Sequence, residues 1–337
     1  MRSKRAPSPN VGFTIVELLI VVVVIAILAA ITIVAFNGIQ QRAQSSALQS
    51  SLSQAFKKLE VYKVDNGSYP ANLSSTGITF SADITSVYAA NSTGSQYCLS
   101  AVRQTTSYVV TQGSSTPVLG GCVPNNGLVA EWTFNGNAND TSGSAMNGTV
   151  VGATLTTGQD GSANSAYLFS GTSQYISLAS STPLNFTTGQ FSVSAWVNLS
   201  TLPAVSTWYD ILSSTNTGDW SFGINATAAG VGRSMMTKIS QVDAPAGPTV
   251  DQNTWKLLTV VYTYGPAPST VAYYLDGVLA ASTSWNHSGQ GAFTPAIKRI
   301  GSRAASGYFR GAIDDLRVYD RALSAAEITS MYAAGAQ

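Results

Sequence analysis

Hydrophobic residues fall along this chain in three textures. From Phe13 to Phe36 runs an apolar block of 24 residues interrupted by one charge, Glu17. At about 1.5 Å per residue, a helix of that length crosses a hydrocarbon layer of about 30 Å. Beyond Asn37-Gly38 the pattern becomes periodic: Ile39, Ala43, Ala47, Leu48, Leu52, Ala55, Phe56, Leu59 and Tyr62 recur at three- and four-residue steps. That spacing lines one face of an amphipathic helix, with Gln40, Gln41, Arg42, Gln44, Lys57 and Lys58 on the other. The two blocks read as one helix over 13–64, in which Gly38 is the weak link at about 1 kcal/mol relative to Ala. Asp65-Asn66-Gly67-Ser68-Tyr69-Pro70 ends it with a cluster of turn formers.

A short polar stretch follows, residues 65–124, with strand-like pieces at Ile78–Phe80, Gln96–Val102 and Ser107–Thr111. It reads as a small head that is marginal without the helix packed on it. Pro124-Asn125-Asn126-Gly127 is a breaker cluster, after which the third texture begins. Residues 125–337 hold many short β-branched and aromatic runs separated by Gly, Asn, Ser and Thr. Phe191–Val197 alternates strictly, and Asp276-Gly277 between Tyr273–Leu275 and Val278–Ala280 is a hairpin signal. Evenly spaced strands over about 200 residues predict an all-β sandwich or jelly roll. The exception is the tail, where Ser324 and Glu327 have the spacing of a capping box opening a short helix over Leu323–Ala334.

Only 10% of the residues are charged and the formal net charge is +1. Loss of Arg2, Lys4 and Arg5 with a leader would take it to −2, leaving no basic tract for a nucleic-acid partner. Cys98 and Cys122 are the only cysteines. In an exported chain such a pair reads as one disulfide, with two unpaired thiols as the alternative. Closing that loop would constrain the unfolded chain by roughly 3 kcal/mol on the chain-entropy account.

Glu17 sets the N-terminal block apart from an ordinary anchor. A carboxylate inside an apolar span is costly in lipid and calls for a partner, and no basic side chain lies nearby in sequence. The amine freed by cutting between Gly12 and Phe13 would supply one. A plain membrane anchor accounts for the apolar run and for basic Arg2, Lys4 and Arg5, but not for Glu17. A secretory signal peptide has a shorter apolar region and is cut after it, not before it. The basic leader, Gly12 at the cut, Phe13 and Glu17 at the fifth mature position resemble the signature of type IV prepilins. "NGSYP" after the helix and a cysteine loop closing the head are similar to small bacterial pilins and pseudopilins. The resemblance implies cleavage by a prepilin peptidase and methylation of Phe13. It also implies that Glu17 pairs with the terminal amine of a sister subunit. The expected location is the bacterial cytoplasmic membrane, then an extracellular pilus.

The C-terminal part resembles the concanavalin A-like, laminin G-like family through "GLVAEWTFNGNANDTSG" at 127–143, "AYLFSG" at 166–171, "FSVSAWVNL", "YYLDGVL" and "GAIDDLRVYDRALSAAEI" at 311–328. The fold class expected is therefore an α+β pilin followed by an all-β concanavalin A-like jelly-roll sandwich. The resemblance implies a structural Ca²⁺ held by Asp140 and Asp314, with backbone oxygens of residues 135–139. Alternation in the last strand puts Asp314 on the core face with Leu316 and Val318, and turns Asp315 outward. It also implies sugar binding by aromatic stacking, for which Trp208, Tyr209, Trp220, Trp285 and His287 are candidates in or beside loops, with Trp220 equally placed to open a strand. Catalysis is not expected: Glu17, Glu60, Glu131 and Glu327 are the only glutamates and none pairs with another in sequence, while His287 is the only histidine. The leading expectation is a pilus or pseudopilus subunit displaying a module that binds a glycan or surface protein. The alternatives are a purely structural major pilin and a pseudopilin of a secretion or DNA-uptake system.

Overall fold

A computed structural model describes residues 15–91, 93–179, 182–184, 186, 189–204, 207–214, 220–225, 233–239, 242–243, 247–264, 269–285, 298–303 and 307–335. Helix α1 (Ile15–Asn66) is continuous through Gly38. The chain divides into two compact units, residues 1–47 and 48–337. In the first, the apolar side chains are exposed, with Ile20, Val24, Ile27 and Ile31 between 48% and 62% accessible. From Leu18 onward the helix is long and apolar enough to cross a membrane. In the second unit the same helix turns one stripe inward: Leu48, Leu52 and Leu59 are each 0% exposed. Burying such a Leu is worth about 1.5–3 kcal/mol. This stripe packs against Tyr69, Ile84, Tyr97, Leu99, Ala101 and Val110 of the head.

The head sheet is a four-stranded antiparallel meander of β1 (Thr85–Ala90), β2 (Tyr97–Arg103), β3 (Thr106–Thr111) and β4 (Val118–Leu119). Ile78–Phe80, expected as a strand, is not one. Both apolar ends pack on the head core without a ladder partner, and β1 takes the edge position instead. Cys98 and Cys122 form a disulfide.

The remaining strands are β5 (Leu128–Trp132), β6 (Gly148–Val151), β7 (Thr154–Thr156), β8 (Ala166–Ser170), β9 (Tyr175–Leu178) and β10 (Gln190–Leu199). They continue with β11 (Trp208–Ser214), β12 (Ser221–Asn225), β13 (Arg233–Ile239), β14 (Val242–Asp243) and β15 (Thr249–Val250). The last are β16 (Trp255–Thr263), β17 (Ser269–Leu275), β18 (Val278–Trp285), β19 (Lys298–Ile300) and β20 (Arg310–Tyr319), followed by helix α2 (Ala325–Gly335). One sheet runs β18-β17-β16-β10-β20-β8-β7 with β5 also paired to β20; the other runs β14-β13-β12-β11-β19-β9-β6 with β15 paired to β13. The first and last strands are therefore neighbours.

Alternation in β10 divides its faces cleanly. Phe191, Val193, Ala195, Val197 and Leu199 enter the core between the sheets. Trp196 faces the other way, into a second apolar layer with Leu257, Tyr319, Ile328 and Met331 beneath α2. The predicted capping box forms: Ser324 Oγ accepts from Glu327 N–H at 3.3 Å and Ser324 N–H donates to Glu327 Oε2 at 2.8 Å.

Alternation does not hold through β20. Ile313, Leu316 and Val318 all enter the inter-sheet core, three and then two residues apart. Asp315 sits at φ 48°, and the pairing with β10 slips between Ser194 and Trp196. This bulge absorbs one residue, so Asp314 lies off the core face rather than on it.

Candidate functional site

Asp140 organises the loop after β5. Its Oδ1 accepts from the N–H groups of Glu131 at 3.0 Å and Ser142 at 2.9 Å, and its Oδ2 from that of Met146 at 3.0 Å. Burial alone would raise its pKa, but these N–H donors outweigh it and hold the carboxyl below the usual value. Asp314 has a different environment. It is 4% exposed, and its Oδ2 accepts from Gln159 N–H at 3.0 Å. Burial, with Asp315 and Asp160 adding repulsion against that backbone bond, pushes its pKa up to about 7.

Calcium needs six to eight oxygens converging on one point. Asp140 spends both oxygens on backbone donors of β5 and of its own loop, whereas Asp314 is held by the separate loop at Gly158-Gln159. Among the described residues no group of three or more His, Cys, Asp or Glu side chains is arranged to hold a metal. The pair does not fit a shared calcium site. Arg317 meanwhile neutralises the acids beside it, bonding Glu131 Oε1 at 2.8 Å and Asp315 Oδ1 at 3.1 Å.

The aromatic candidates separate by environment. Trp220 is 1% exposed, inside the inter-sheet core, donating Nε1–H to Leu184 O at 3.3 Å. It stands at the entry to β12, as its sequence position allows, but its burial makes it structural, a correction to its candidacy as a sugar contact. Tyr209 is half-buried and meets Phe309 edge-on at 6.3 Å. Trp285 ends β18 opposite Ser269, and His287 lies outside the described residues, as do Gly12 and Phe13. Glu17 lies in the first turn of α1.

Trp208 is half-buried at the start of β11, with the Arg303 guanidinium 5.2 Å from its ring centre. Arg303 Nη2 donates to Asp210 Oδ1 at 2.9 Å and Ser221 Oγ at 3.0 Å. Leu212, Phe222, Ile224 and Ile300 point into the core, so Asp210, Ser221 and Arg299 belong to the opposite face of the second sheet. Asp210 N–H donates to Gly307 O at 2.9 Å on this face. On a neighbouring strand the Arg299 guanidinium stacks 4.1 Å from the Tyr175 ring. The face thus offers two aromatic rings, two guanidiniums and small hydroxyls. Flat rings stack on the apolar face of a pyranose and a fork of N–H donors reads its hydroxyls. Tyr175, Arg299 and Arg303 escape a reading of the sequence because nothing in their spacing links them; sheet order brings Arg299 to Tyr175, and the turn out of β19 brings Arg303 to Trp208.

Residues 170–329 match the family model described as the Concanavalin A-like lectin/glucanases superfamily. The N-terminal part of the chain is homologous to type IV pilins and pseudopilins. It is 44% identical over 61 residues to the type IV wide pilus major component PilA4 of Thermus thermophilus, covering 18% of this chain and 47% of that protein. It is 37% identical over 78 residues to a fimbrial protein of Neisseria meningitidis, covering 23% and 45%. It is also 32% identical over 66 residues to the type II secretion system core protein G of Escherichia coli, covering 20% and 46%. The chain spans about half the length of these curated relatives. Among solved structures it is similar to domain 4 of the arabinanase AbnA from Geobacillus stearothermophilus, determined with arabinotriose. That likeness is 21% identical with TM-score 0.47, covering 61% of this chain and 98% of that one. The binding domain of Paraclostridial Mosquitocidal Protein 1 is 18% identical with TM-score 0.48, covering 62% and 52%.

Proposed function

We propose that this chain is a subunit of a type IV pilus or pseudopilus that displays a carbohydrate-binding sandwich on the filament surface. The observation carrying the reading is the change of face along α1. Its first half exposes apolar side chains that find no cover within their own compact unit, and its second half is the spine of a globular head. An apolar helix of this kind is stable only in lipid or against other such helices. Similarity to pilus subunits in the same segment supports the second environment as the final one.

In this reading a prepilin peptidase cuts after Gly12 and the new terminal nitrogen at Phe13 is methylated. Glu17 then pairs with that nitrogen on an adjacent subunit as the chain leaves the membrane for the filament. The sandwich acts by binding rather than catalysis, through the Trp208–Arg303 face with buried Asp210 fixing the guanidinium from beneath, and its ligand is a neutral or acidic glycan on another surface. The similarity to a secretion-system core protein favours a second version, in which the filament is a short pseudopilus and the sandwich meets cargo.

The test is twofold. Sheared surface filaments from the native host should contain the subunit beginning at Phe13, and the full chain should bind a glycan array in a manner lost in Trp208→Ala. Subunits retaining residues 1–12 in filaments would overturn the assembly half, and an array negative for the wild-type chain would overturn the binding half.

A further inference from the structure

The head and the sandwich are joined by more than the linker at Val123–Gly127. Ser330, on α2, is 0% exposed, and its hydroxyl is fully used at the junction. Ser330 Oγ donates to Cys122 O at 2.8 Å, accepts from Cys122 N–H at 2.7 Å and lies 2.8 Å from Ser100 Oγ on β2. A hydroxyl has one donor and two acceptor positions, so all are filled. Ala326, one turn earlier on α2, packs on Val87, Val102, Val109 and the Cys98–Cys122 pair. The contact is close: a Cβ on Gly121 would fall 1.9 Å from Ser330 O.

The seat for α2 is therefore built from two parts of the head, strand β2 and the strip Gly120–Pro124. The strip has little of its own to hold it against β2. Its neighbour β4 is two residues long, and Gly120 N–H donates to Ser107 O at 3.1 Å. The covalent tie between the two parts is Cys98–Cys122, with Cys98 half-buried and Cys122 buried. On its other side α2 is fixed to the sandwich: Tyr332 stacks on Trp196 at 5.6 Å and Thr329 Oγ1 donates to Gly277 O at 2.9 Å.

We infer that the Cys98–Cys122 loop and α2 form a redox-sensitive latch between head and sandwich, with Ser330 as its bolt. Closed, the bond holds the strip and β2 in register and α2 seats on both. A dithiol reductant supplies two electrons and two protons, itself becoming a disulfide, and leaves Cys98 and Cys122 as thiols. The strip is then free to leave β2 together with α2, to which Ser330 still holds Cys122, and the two lobes separate while each retains its own core. This inference is independent of the carbohydrate reading.

The test is hydrogen exchange on the full chain in detergent micelles, oxidised, reduced with dithiothreitol, and as the oxidised Ser330→Ala variant. Reduction should speed exchange at 118–124 and 325–335 by about tenfold or more, the scale set by losing one or two net hydrogen bonds. Strands 190–199 and 255–263 should not change. Ser330→Ala should reproduce the effect with the disulfide intact. Unchanged exchange at 325–335 on reduction would overturn the latch. So would an equal rise in 190–199, since the bond would then be a general stabiliser, and so would a silent Ser330→Ala.

Discussion

At Asp314 a nearly inaccessible carboxyl takes one N–H from Gln159 and faces two other acids, and its pKa rises to about 7 from an ordinary 3.8. Folded, it keeps its proton to near neutrality; unfolded, it releases it near pH 4. The folded state thus binds an extra proton between about pH 4 and 7, and stability falls as pH rises through that window and then levels. Asp140, Asp160 and Glu327 are shifted downward, so their contributions are lost below the window. Urea unfolding at several pH values should show the slope, and Asp314→Asn should remove it; an undiminished slope in the variant would assign it elsewhere. The two tryptophans provide a second residue-scale contrast. Trp220→Ala should cost about 3–5 kcal/mol in unfolding free energy. Trp208→Ala, on the outer face, should cost less than about 1 kcal/mol while abolishing array binding. In the sequence both are loop-side aromatics. Nothing local separates them, because burial of Trp220 depends on Leu184, Phe186 and Phe191 from distant segments.

Elements with strong local periodicity are legible in the amino-acid sequence. The long helix, described from Ile15 onward, the alternating β10, the Asp276-Gly277 hairpin and the Ser324–Glu327 cap all depend on neighbours along the chain. The bulge in β20 is not placed by the sequence, since either register of "IDDLRVY" leaves a charge on the core face and only pairing with β10 shows where the extra residue lies. The same limit hides the separate fates of Asp140 and Asp314. At the docking of α2, Gly121→Ala must push against backbone rather than a flexible side chain tip. Its calorimetric scan should therefore split one cooperative transition into two, head and sandwich. A single unshifted transition would mean that the junction adapts at little cost.

For the molecule as a whole, the proposed function makes the division at residues 47 and 48 the line between what assembles and what is displayed. Glu17→Ala should leave membrane insertion intact and abolish incorporation beside wild-type subunits, measured as loss from sheared filaments with unchanged membrane content. Normal incorporation would remove Glu17 from assembly. The sandwich half contributes nothing to that reading, since its sequence names a fold and leaves its ligand to surface chemistry.

The junction also bears on modular exchange. A head cut away at Pro124 would lose Ala326 and Ser330, uncovering Val87, Val102 and Val109 and stranding the Cys122 amide and carbonyl. Any foreign passenger grafted at that point would need its own small-residue helix to roof the gap. Exchange of the C-terminal module is thereby confined to replacements that carry their lid with them.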